Sequence, residues 1–64
     1  MKAKCIENNF HNTNFTIGKI YEMKKAAIRT DWGGMWVGFE EWSKPIDFNV
    51  GSIFEFGLCK FEII

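Results

Sequence analysis

At 64 residues the chain is one domain, close to the size at which a single hydrophobic core barely offsets the entropy of folding. Hydrophobic residues make up 47% of it and include seven Phe, three Trp and one Tyr, which is the composition of a folded chain with a core of large rings and argues against disorder. Eight basic and eight acidic residues cancel, arguing against both the strong positive field of a nonspecific DNA binder and an acidic mimic of DNA.

The opening stretch MKAKCIENN places Met1, Ala3 and Cys5 on one phase of a strand. It lacks the apolar run of a signal peptide, and no run in the chain is long enough to span a bilayer, so no membrane association and a cytoplasmic location are expected. Cys5 and Cys59 both fall in strand-like apolar patterns, and free cysteine behaves as a small hydrophobe, so both are expected as buried free thiols. The polar stretch NNFHNTN, residues 8 to 14, reads as a loop.

Next comes FTIGKIYEM, from Phe15 to Met23, and the pattern returns as FNVGSIFEF, from Phe48 to Phe56. Phe, Gly, Ile and Glu match position for position, and the inward pattern continues as Ala26/Cys59, Ile28/Phe61 and Thr30/Ile63. Each Gly, Gly18 or Gly51, is expected in a turn leading into a strand, with Ile17 or Val50 tucked beneath it. Each Glu, Glu22 or Glu55, is expected to face solvent between buried Tyr21 and Met23 or Phe54 and Phe56. Continuous alternation fails at Lys24-Lys25 and at Gly57-Leu58, so a bulge or sharp bend is expected at both.

Between the two copies, the Gly33-Gly34 pair favours a two-residue hairpin turn. Folding about it sets Trp32 opposite Met35, Thr30 opposite Val37, Ile28 opposite Phe39 and Ala26 opposite Glu41 on a core face. The other face then holds Asp31 with Trp36, Arg29 with Gly38 and Ala27 with Glu40. Trp32 is thereby expected in the core and Trp36 on the surface. WSKPID, with the only proline, is a second loop. The resulting expectation is an all-β small barrel, SH3-like in form, spanning residues 1 to 64 as a single domain. It has about five strongly bent antiparallel strands in two pseudo-repeated halves.

Catalytic chemistry finds no support. His11 is the only histidine and has no cysteine or carboxylate near it in the sequence. Glu40 and Glu41 are adjacent on a strand and point to opposite faces, and both phosphate-binding glycine motifs are absent. Cys5, Cys59 and His11 are too few and wrongly spaced for zinc. No enzyme activity, cofactor or metal is expected. An exposed Trp36 ringed by Arg29, Asp31 and Glu40 has the composition of a protein-binding hot spot. Lys19, Lys24, Lys25 and Arg29 near Trp36 form the alternative, a surface that stacks bases and neutralises phosphates. A solvated edge strand guarded by lysines explains the same charges without a partner.

Lys4, Cys5, Ile6 and Asn8, a polar loop, and then Phe15 to Met23 form a pattern that resembles a broad group of very small phage and prophage proteins, many with SH3-like barrels. The resemblance covers the first third of the chain, and the aromatic hairpin DWGGMWVGFEEW departs from it. It implies an accessory phage protein in the host cytoplasm that binds and blocks a host enzyme or defence complex, as anti-CRISPR proteins do. The chain would act as a monomer or homodimer, and no functional residue carries over.

Overall fold

A computed structural model describes residues 1–24, 27–33, 36–38 and 49–64. These form an all-β fold of six antiparallel strands: β1 (Lys2–Glu7), β2 (Ile20–Lys24), β3 (Ala27–Arg29), β4 (Trp36–Gly38), β5 (Ile53–Phe56) and β6 (Cys59–Ile63). The order across the sheet is β4-β3-β2-β1-β6-β5, a meander whose last strand returns to pair with the first. The sheet therefore curls, and its concave side encloses the core.

Two strands read as bent are in fact hairpins. Met23 pairs with Ile28 and Lys24 with Ala27, while Phe56 pairs with Cys59 and Phe54 with Phe61. A two-residue reversal changes the parity of the inward positions just as a bulge does, so alternation alone does not distinguish them. In the second hairpin Gly57 and Leu58 both have positive φ, 60° and 63°, the conformation of a type I′ turn. The expected bend at Lys24-Lys25 falls partly on Lys25, outside the described residues.

The repeated motif is one device built twice. Lys19 N donates to Thr16 O (3.1 Å) and Ser52 N to Asn49 O (3.0 Å), with Gly18 and Gly51 at the left-handed position, φ 86° and 92°. Each turn then docks on a neighbouring strand by the same two bonds. Gly18 N donates to Cys5 O and Cys5 N to Lys19 O; Gly51 N donates to Ile63 O and Ile63 N to Ser52 O. The first copy docks on the strand before it and the second on the strand after it. Ile17 and Val50 are exposed rather than tucked under, because the residue before the glycine occupies the outer corner of the turn. Glu22 and Glu55 are exposed as expected.

The core consists of Ala3, Cys5, Phe15, Tyr21, Met23, Ile28, Phe54, Cys59, Phe61 and Ile63, with Phe56 packed against it. Phe15 stands edge-on to Tyr21 and Phe61, with centroids 5.2 and 4.9 Å away, and Phe54 stacks on Phe61 at 5.3 Å. These geometries suit the aromatic quadrupole.

The β3–β4 hairpin corrects the expected register. Arg29 pairs with Trp36, Ile28 with Val37 and Ala27 with Gly38, two positions from the pairing drawn about Gly33-Gly34. The turn begins earlier because Thr30 and Asp31 are pinned: Gly33 N donates to Thr30 O, Trp32 N to Thr30 Oγ1, and Asp31 N to Asn14 O. Trp32 is consequently 70% exposed at the turn rather than in the core. A shift of two keeps every side chain on its face, so Ile28 remains buried and Arg29 and Trp36 remain outward. The expected pairings of Met35, Phe39, Glu40 and Glu41, and that of Ala26, lie outside the described residues.

Candidate functional site

On the outer face of β2, β3 and β4, Arg29 stands opposite Trp36 and Ala27 lies between Lys24 and Gly38. Adjacent strands are about 4.8 Å apart, so a side chain on β4 and one on β2 meet by reaching toward each other over β3. That is the arrangement found. Lys24 Nζ lies 4.6 Å and Arg29 Cζ 4.3 Å from the Trp36 ring centroid. Only a methyl group at Ala27 and no side chain at Gly38 leave width for the ring to lie on the sheet. Trp36 is therefore half-buried and contacted by two cations, each such contact contributing about 0.5–1 kcal/mol where solvent is near. Neither cation forms an ion pair with a carboxylate of the described residues.

Asp31 belongs to a different constellation. Its carboxylate accepts from Lys19 Nζ (2.6 Å), Thr16 Oγ1 (2.7 Å) and Tyr21 OH (2.8 Å), while that phenol oxygen accepts from Thr16 N (2.6 Å). Burial raises the Asp31 carboxyl pKa, but the bonds from Lys19, Thr16 and Tyr21 outweigh it and hold the group below the usual carboxylate range. Burial is also the main reason that Tyr21 is pushed up to about 12. This network ties the 8–18 loop to the turn after β3. Lys19 is thus committed to Asp31 and lies 5.6 Å from the Tyr21 ring, apart from the Trp36 face. Of the expected site residues, the structure brings together Lys24, Arg29 and Trp36; Glu40 and Lys25 lie outside the described residues.

The 8–14 loop is organised by its asparagines. Asn8 Nδ2 donates to Asn12 O and Phe15 O, and Asn12 Nδ2 reaches the second hairpin turn at Gly57 O (2.8 Å). His11 is exposed beside exposed Phe10. Cys5 and Cys59 are buried and free. Burial raises both thiols, Cys59 to about 11 with Cys5 adding to the effect, and a thiol held protonated is a poor nucleophile. Among the described residues no three His, Cys, Asp or Glu side chains gather as metal ligands, and no helix is long and apolar enough to cross a membrane.

Comparison of the chain with protein-family models, curated proteins and solved structures finds no match. Ala27 and Gly38 were not singled out from sequence as the seat of the indole, nor Thr16 and Tyr21 as partners of Asp31. The first pair leaves a readable signal, two small residues on the outward phase of one hairpin. The second leaves none, because the 8–18 loop meets the β3 turn only in the folded molecule.

Proposed function

We propose that the chain is a noncatalytic protein-binding module whose contact surface is the Lys24–Trp36–Arg29 face. The observation that carries this reading is the half-buried indole laid on the sheet under two cations that lack carboxylate partners among the described residues. An ordered Trp loses little rotamer freedom on binding, and Trp and Arg dominate interface hot spots. With Asp31 held elsewhere, the face is more cationic than its sequence neighbourhood implies. A partner surface with carboxylates around an apolar patch complements it. Following the resemblance of the N-terminal pattern to phage proteins, we read the module as a phage-encoded inhibitor of a host enzyme or defence complex, of the anti-CRISPR kind.

The same cations favour a second reading, a small nucleic-acid-binding barrel in which Trp36 stacks a base and Lys24 and Arg29 meet phosphates. Capture from host lysate on the immobilised chain separates the two. The protein-binding reading expects capture that survives nuclease treatment and falls at least about tenfold in Arg29→Glu. Capture lost to nuclease, with affinity for a single-stranded oligonucleotide falling steeply with salt, supports the second reading. Capture unchanged in Arg29→Glu places the contact on another surface.

A further inference from the structure

We infer that the outer face of β2, β1, β6 and β5 is a self-association surface, and that its occupant is a second copy of this chain. The pairings Lys4 with Ile20, Lys4 with Glu62, and Ile53 with Glu62 set four outward side chains in one row across these strands: Ile20, Lys4, Glu62, Ile53. Ile20 and Ile53 are 51% and 60% exposed, and neither Lys4 nor Glu62 has an ion-pair partner among the described residues.

The row is self-complementary. A two-fold axis running along the strands between β1 and β6 carries β1 over the β6 of the other copy, and β2 over its β5. Lys4 then faces the second Glu62 and Glu62 the second Lys4, while Ile20 and Ile53, on the strands that curve away on either side, border the contact. An isologous contact requires this reciprocity, with each residue meeting on the other copy the one that meets it in return. Both charge pairs are attractive, and the apolar side chains flank them on either side.

The internal repeat strengthens the inference. Ile20 and Ile53 occupy the same place in the two copies of the turn-and-strand device, each first in its strand and each outward. Threonine holds a strand as well and accepts solvent more readily, so isoleucine at both places is accounted for if the face is covered. A 64-residue domain whose core, among the described residues, is ten buried side chains, the two free cysteines included, also gains more from association than a larger one does. The two surfaces share β2 but use opposite ends of it, Ile20 and Lys24, and Arg29 and Trp36 stand on β3 and β4 outside the contact, so the dimer leaves the Trp36 face open and carries it twice.

Sedimentation velocity of the full chain, from about 10 μM to about 1 mM, tests the proposal. The wild type is expected to shift from monomer to dimer across that range. Lys4→Glu alone and Glu62→Lys alone each put like charges across the axis and should weaken the dimer at least about tenfold. An equimolar mixture of the two variants restores attraction at both contacts and should return association to within about threefold of wild type. Thermal melts show whether each charge variant folds; if one does not, the double variant Ile20→Thr, Ile53→Thr takes its place and should be monomeric. A wild type that stays monomeric at the highest concentration overturns the proposal. So does a dimer that is undiminished in the variants, or variants that fold as monomers and stay monomeric when mixed.

Discussion

Leu58 pays twice for its position. It sits at φ 63°, where any Cβ comes too close to the following carbonyl oxygen, and it is exposed, so no burial offsets the strain. Leu58→Gly should raise stability by about 0.5–1 kcal/mol in a denaturant melt. Gly57→Ala should act in the opposite direction, because its Cβ would come within 2.8 Å of Asn12 Nδ2 at φ 60° and displace the bond that anchors the 8–14 loop. A loss of about 1–2 kcal/mol is expected. Tyr21 and Asp31 set the pH limits. Tyr21 titrates at about 12 when folded against about 10 unfolded, so the stability it supplies is complete below pH 10 and lost as pH rises toward 12. The Asp31 carboxyl is depressed on folding, so its contribution is present above its unfolded value near 4 and lost as pH falls below it. Melting temperatures measured against pH should therefore fall on both sides, and Asp31→Asn should flatten the acid limb. An acid limb unchanged in Asp31→Asn contradicts the network.

At the scale of elements, the two glycine turns should be energetically alike, since both have φ near 90° and open space where a Cβ would go. Gly18→Ala and Gly51→Ala should each cost about 1–2 kcal/mol, and a neutral result at one of them would show that the turns are not the same device. The motif and its phase change were legible because a repeated pattern of turn and alternation is local chemistry. Whether that phase change was a bulge or a full reversal was not, because Lys24 pairing with Ala27 and a bulge at the same place bury the same Tyr21, Met23 and Ile28. The β3–β4 register was mislaid for a different reason. Gly33-Gly34 is a strong local turn signal, but Asp31, just past the strand, is held by Asn14, Thr16, Lys19 and Tyr21, far away in the chain. Ile28 and Trp36 kept their faces because the error was an even number of residues.

Across the whole molecule, neutral net charge conceals an uneven distribution. Lys19 is matched by Asp31 and Lys60 by Glu7, whereas Lys24 and Arg29 lie over Trp36 without a carboxylate partner among the described residues. The outward placement of Arg29 and Trp36 was legible from the alternation of the hairpin. The separation of Asp31 from them was not, because it depends on the 8–18 loop folding over the end of the sheet. Two tryptophans with contrasting surroundings allow the proposed binding face to be tested: Trp36, half-buried with two cations over its ring, and Trp32, exposed at the turn. The most direct measurement is the affinity of the nuclease-resistant captured partner for Trp36→Ala and for Trp32→Ala, with a melting curve for each. The account predicts that Trp36→Ala weakens binding by about 2 kcal/mol or more while the protein still melts cooperatively, and that Trp32→Ala changes neither quantity. Binding lost in Trp32→Ala and kept in Trp36→Ala would contradict it and move the contact to the turn after β3.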